Sequence, residues 1–218
     1  MNKEKLVAYF NNPKIKEKYL KRVRAHAKAD EIIKGQYWGD GKGCAVGCTV
    51  HSGDLDAYEI ELGIPRILAR LEDGIFESLP NDLAKTWPER FLKAIKPGAD
   101  LSKVWNKFAI WLLIDPINGV VNYARTKNTE TSINNVANLY LRSLKEEIST
   151  TEWRSAAAYA AINDDAATYA AYAADAAINY AAAAYAACAA DAATNDDAIA
   201  KARIAQSEKL LELLREAE

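Results

Sequence analysis

The chain has 218 residues, half of them hydrophobic, and 28 Lys and Arg stand against 30 Asp and Glu for a net charge of −2. That length is enough to bury a real core in one large domain or two small ones, and the near balance of charge gives no warrant for a nucleic-acid polymer or a membrane as partner. Three cysteines, in a chain whose first residues lack the apolar stretch of a secretory signal, argue for a cytoplasmic protein with reduced thiols or a metal site rather than a disulfide framework.

In chain order, Pro13, Ile15, Tyr19, Val23, Ile32 and Ile33 fit a helix that opens at the proline, with lysines and arginines on its wet face. Gly35 to Gly53 is rich in glycine, shows no helical period and reads as a long loop. Helical signals return from Leu62: Ile64-Pro65 opens a segment through Phe76, Leu79-Pro80-Asn81-Asp82 makes a turn and cap, and a further segment runs to the Lys96-Pro97-Gly98 stop. Glu59, Glu61, Glu72 and Asp73 are expected to be solvated or salt-bridged, as most carboxylates are. Asp100 to Leu113 is apolar on one side and ends at Asp115-Pro116; further helices are expected from about Ile117 to Ala124 and from about Ser132 to Ile148. No alternating run supports a strand, so the fold class is all-α, a multi-helix bundle with a long Gly/Cys-rich loop. Residues 1–150 form the helical part that carries the loop, and 151–218 an alanine-rich repeat segment packed on it as one folded unit.

Between Ser155 and Ala200 the alanine bias hides a sixteen-residue repeat that sets Asn163, Asn179 and Asn195 in register. Alanine heads the helix propensity scale, so the tract is predicted helical, with breaks at Asn163-Asp164-Asp165 and Asn195-Asp196-Asp197. Its larger residues recur mainly every three positions and would spiral around a straight helix. The tract is therefore expected to form short antiparallel helices, with Tyr159, Tyr169, Tyr172, Tyr180 and Tyr185 supplying the buried area that alanine cannot. Its aspartates and asparagines exclude a membrane span.

The loop concentrates the reactive residue types: Tyr37, Trp38, Lys42, Gly43, Cys44, Cys48 and His51, with His26 upstream. Four readings stand open. Cys44, Cys48, His51 and His26 could hold zinc as thiolates and neutral imidazoles, though the cysteine spacing is a poor match to structural sites, and the metal question stays open. A histidine could activate either thiol as a nucleophile. Glycine amides and Lys42 could hold a small anion while Tyr37 or Trp38 stacks on a base; the pattern after Gly41-Lys42-Gly43 departs from a phosphate loop. Or the loop folds inward, with Cys44, Val46 and Cys48 buried as small apolar residues.

Gly41-Lys42-Gly43-Cys44-Ala45-Val46-Gly47-Cys48-Thr49, then Glu61-Leu62-Gly63-Ile64-Pro65, Leu68-Ala69-Arg70-Leu71-Glu72-Asp73, Ile75-Phe76-Glu77 and the alanine-rich tail together resemble a group of phage and bacterial proteins similar to the alanine-rich immunity class numbered five of bacterial toxin systems. The resemblance implies a non-enzymatic binder acting in conflict between bacteria, phages and plasmids, and it supplies no catalytic residues. On that reading the chain is an oligomeric protein that sequesters a toxin protein or a small anionic, nucleotide-like signal. It needs no cofactor, and the ligand contacts are Tyr37, Trp38, Lys42, Gly43, Cys44, Cys48, His51 and His26. Rival readings are a small cysteine- or metal-dependent enzyme and a structural, oligomerising helical protein.

Overall fold

A computed structural model describes residues 6–163, 165–192 and 196–218. The fold is all-α and multi-helical, and a two-stranded hairpin is the only sheet among the described residues. Among the same residues no helix is long and apolar enough to cross a membrane. The chain divides into two compact units, 1–104 with 210–218, and 105–209.

The first unit begins with a left-handed turn in which Tyr9, Phe10 and Asn11 all take positive φ. Each such residue costs roughly 1–2 kcal/mol when it is not glycine, and the surroundings hold the turn in place: Tyr9 is fully buried and its hydroxyl donates to the Leu92 carbonyl at 2.8 Å. Helix α1 (Pro13–Lys28) starts as its proline predicts, with the Asn12 side chain accepting from the Lys14 amide. It stops at Lys28, short of Ile32 and Ile33, because the chain reverses at Asp30 with positive φ. Glu31 and Ile33 then form a ladder with Gly43.

The glycine-rich connection is more ordered than its sequence suggests. Strands β1 (Trp38–Gly39) and β2 (Lys42–Gly43) pair antiparallel across Asp40-Gly41, both at positive φ as a tight hairpin turn requires. Helix α2 (Ala45–Val50) follows with all six residues buried. It packs against α1 and also against helices α4 (Arg66–Ser78) and α5 (Asn81–Ala94). A helix enclosed on every side has no wet face, hence no period to read.

Helix α3 (Asp56–Leu62), too short to announce itself, closes on Gly63 in the left-handed conformation. The expected segments after Pro65 and Pro80 are α4 and α5, the latter continuing through a buried Pro88. Trp87, Tyr58, Phe76, Phe91, Leu62, Leu68 and Leu71 form the core.

In the second unit, α6 (Val104–Ile114) and α7 (Lys127–Ser143) supply Trp105, Phe108 and Tyr140. The segment expected as a helix from Ile117 contains only a short 3-10 turn, Val120–Tyr123. Helix α8 (Thr150–Ala161) opens with a capping box between Ser149 and Glu152. Then come α9 (Asp165–Ala176), α10 (Ala183–Ala187) and α11 (Asp196–Glu216), the last running into the first unit at Leu210.

The first helix of the tract ends at Ala161 and Asn163 lies outside it, at the predicted break, and the tract breaks again at Asn179, whose side chain caps the next turn; Asp164, Thr194 and Asn195 lie outside the described residues. The expected role of the tyrosines is corrected. Tyr159, Tyr172 and Tyr185 are exposed, whereas Ala160, Ala167, Ala170, Ala174 and Ala183 are fully buried. Methyl groups let α9 settle against α7, α8 and α10, and the bulk comes from upstream: the Tyr140 hydroxyl accepts from the Trp105 indole at 2.8 Å and donates to the Ala173 carbonyl at 2.5 Å.

Candidate functional site

The sequence-predicted residues lie in the first unit around the hairpin and α2, and they separate into an inner and an outer group. The inner group hangs from a close backbone approach. The Tyr37 carbonyl lies where a side chain at Gly43 or Gly47 would have to go, 2.0 and 1.5 Å from an ideal Cβ. Only glycine lets α2 slide under the hairpin.

That approach seats Cys44 and Cys48 in the core. The Cys48 thiol donates to the Gly43 carbonyl at 3.3 Å, and burial pushes its pKa up to about 12. Burial raises Cys44 further, assisted by the Asp73 carboxylate. Neither is a thiolate at neutral pH. Alkylation of the folded protein is expected to label exposed Cys188 and spare Cys44 and Cys48, with all three reacting after unfolding; intact-mass measurement reads the label count.

Asp73 and Glu72 are both buried; Asp73 is salt-bridged, as expected, whereas Glu72 meets a tyrosine hydroxyl instead. The Asp73 carboxylate accepts from the Tyr37 hydroxyl at 3.1 Å and from Arg70 at 3.2 Å, while Arg70 also donates to the Tyr37 hydroxyl at 2.6 Å. Cys44, Asp73 and Glu77 come close enough to share an ion, yet the Arg70 guanidinium already supplies the positive charge there. Glu72 points to the opposite side, where the Tyr58 hydroxyl donates to it at 2.5 Å and its other carboxyl oxygen has no partner. Desolvation raises its pKa well above the ordinary carboxylate value. Glu72 therefore favours the neutral form.

The outer group is formed by α1, the hairpin and the end of α2. His26 Nδ1 lies 2.7 Å from the Glu31 carboxylate, and His26 Nε2 lies 2.8 Å from His51 Nε2. Trp38 stacks on the His51 ring at 4.4 Å and 15°, and meets His26 edge-on at 5.4 Å. His51 holds a left-handed backbone at the end of α2, which turns its ring out to solvent. Partial desolvation, then Arg22 and His26, lower its pKa. Lys42 is exposed on β2. Arg22 reaches the Thr49 carbonyl from α1.

The structure thus brings His26, His51 and Trp38 together and seats Cys44 and Cys48 beneath, while Tyr37 stays partly exposed and turns its hydroxyl to Arg70 and Asp73. It does not assemble the four-residue zinc set: the thiols face carbonyl and carboxylate oxygens, while the imidazoles bond each other and Glu31. The inward fold of Cys44, Val46 and Cys48 is the arrangement observed. Arg70, which sequence reasoning passed over as a site residue, carried a readable signal, an ion pair with Asp73 three apart on one helix face. Glu31 carried none, since it bonds His26 only because α1 ends between them.

A cavity of about 520 Å³ lies beside the start of the connection, lined by Asp30, Ile32, Lys34, Phe76, Asp82 and Lys85 among others. It takes none of Tyr37, Trp38, Lys42 or His51. Comparison of the chain with protein-family models, with curated proteins and with solved structures gives no match.

Proposed function

We propose that the protein is a non-enzymatic binder that neutralises an antagonist by sequestration, and that the antagonist is a small anionic, ring-bearing molecule of nucleotide type. The observation that carries this reading is the outer group: Trp38 and His51 present a stacked aromatic pair at the surface, with Lys42 on the adjoining strand and Arg22 on the adjoining helix. Aromatic faces take a base and cations take phosphate. Binding in excess lowers the free ligand without turnover. The rival cysteine enzyme is disfavoured because both thiols are buried and held protonated. Homo-oligomerisation and a place in bacteria–phage conflict belong to the same proposal, the latter on the resemblance alone.

One observation favours a second form of the reading, in which the antagonist is a toxin protein: Tyr159, Tyr172 and Tyr185 are exposed, and Tyr172 and Tyr185 pack ring against ring at 5.5 Å. Exposed tyrosines are common at protein interfaces. A cellular protection assay separates the two. Trp38→Ala with Lys42→Ala is expected to abolish protection and lower ligand affinity at least tenfold, about 1.4 kcal/mol, while Tyr172→Ala with Tyr185→Ala leaves protection intact. The reverse pattern gives the role to the tyrosine face.

A further inference from the structure

We infer that His26 and His51 form a proton-operated clasp between α1 and the end of α2: the rings bond each other while they carry at most one proton beyond the neutral pair, and they part when both are cations, His51 then turning to the Glu61 carboxylate. The clasp is a property of the fold and stands apart from the sequestration reading.

The bond between the rings sets the proton count. The two Nε2 atoms lie 2.8 Å apart, a hydrogen-bond distance that needs one N–H and one bare nitrogen. His26 Nδ1 lies 2.7 Å from the Glu31 carboxylate, which when ionised only accepts, so that nitrogen carries a proton. In the neutral pair His26 Nε2 is therefore bare, and His51 Nε2–H donates to it. One added proton, on His51 Nδ1, leaves this bond intact. A second goes to His26 Nε2 and sets N–H against N–H between two like charges, an arrangement with no acceptor left in it.

The surroundings decide which ring leaves and where it goes. The His26 side chain is only 12% exposed and tied to Glu31, whereas the His51 ring is exposed at the end of its helix. The charges acting on His51 are Arg22 and His26 from α1, which disfavour its cation, and Glu61 from α3, which favours it. Glu61 accepts from the Tyr19 hydroxyl through one carboxyl oxygen, leaving the other to receive an imidazolium. The charged groups of the other elements around α2 are engaged elsewhere: Lys42 of the hairpin acts on Asp30, Asp73 and Glu72 of α4 bond Arg70 and Tyr58, and Glu89 of α5 holds Arg24. The open arrangement binds more protons than the closed one, so falling pH favours opening. Trp38 lies flat against His51 at 4.4 Å and edge-on to His26 at 5.4 Å, so its indole senses the change.

The test is a nuclear magnetic resonance titration of the tag-free full-length protein from neutral to acid pH, without ligand, reading the imidazole signals and the Trp38 indole, with far-UV circular dichroism at each pH. The chain has only two histidines, so substitution of either assigns both, and Trp38→Phe identifies the indole signal. The expected result is two proton steps separated by more than about one pH unit, the lower one accompanied by a shift of the Trp38 indole at unchanged helix content. In His26→Gln, whose amide offers either a donor or an acceptor, His51 should titrate in one step and the indole shift should be lost. Glu61→Gln should move the lower step to more acid pH. Both histidines titrating together in one step, an indole shift that persists in His26→Gln or coincides with loss of helix, or a lower step unmoved by Glu61→Gln would overturn the inference.

Discussion

Gly47→Ala is expected to be the most damaging single substitution in the chain, costing more than about 4 kcal/mol and leaving the first unit unfolded at ambient temperature. Propensity argues the other way, since alanine inside an exposed helix gains about 1 kcal/mol over glycine. The sign of the effect therefore separates two accounts of this glycine. An ideal Cβ at Gly47 would lie 1.5 Å from the Tyr37 carbonyl oxygen and 2.5 Å from its carbon, both backbone atoms that cannot swing aside. Relieving the overlap would lift the hairpin off α2 and expose Cys44 and Cys48. Gly35→Ala is the control: nothing lies within 4 Å of a Cβ there, and only its positive φ is penalised, at roughly 1–2 kcal/mol. Urea unfolding of the two variants checks the ranking, and a Gly47→Ala protein as stable as the parent would disprove the close approach.

Glu72→Gln is expected to stabilise the protein at neutral pH, in proportion to how far burial lifts the folded pKa of Glu72 above its unfolded one. Glu72 is fully buried, one of its carboxyl oxygens is unpartnered, and desolvation raises its pKa well above the ordinary value. An acid whose folded pKa is raised favours the folded state fully only below the unfolded pKa, about 4.3 for glutamate. Above that pH the unfolded chain releases its proton while the folded chain keeps it, so stability falls with rising pH until the folded pKa is reached. Glutamine keeps an acceptor for the Tyr58 hydroxyl and carries no charge to desolvate. The gain should therefore be absent near pH 4 and grow towards pH 7, as read by thermal unfolding at several pH values. A gain that is constant with pH, or a loss at neutral pH, would mean that Glu72 is ionised in the fold.

Most helices were legible in the sequence because their ends are chemically marked: Pro13, Pro65, Pro80 and the repeating asparagines. Elements without such marks escaped. The Asp40-Gly41 turn is a strong hairpin signal on its own, but strands of two residues are too short to show alternation. Helix α2 has no polar face, and the left-handed turn at Tyr9 to Asn11 is imposed by contacts with residues some ninety positions away, beginning with Ala8 on Ala99.

For the site, residue types pointed to the right segment but not to its grouping. Tyr37, Trp38, Cys44, Cys48 and His51 read alike as loop residues. Which of them face water depends on the Tyr37 carbonyl settling against two glycines, a contact that composition does not encode. The ion pair of Asp73 was legible from Arg70 three residues before it, but nothing local reveals that tyrosine hydroxyls will meet Glu72 and Asp73 in the interior. The outward tyrosines of the alanine tract have the same cause, since Trp105, Phe108 and Tyr140 had already supplied the bulk that those helices needed.

The central claim is that the surface made by the hairpin and the end of α2 holds a ligand and releases it chemically unaltered. Native mass spectrometry of the tag-free protein, after incubation with an extract of cellular small molecules and again after heat release, tests it most directly. The account predicts a retained phosphate-bearing ring compound, recovered with its mass unchanged and lost from Trp38→Ala. A chemically altered product, or retention undiminished in both Trp38→Ala and Lys42→Ala, would contradict it.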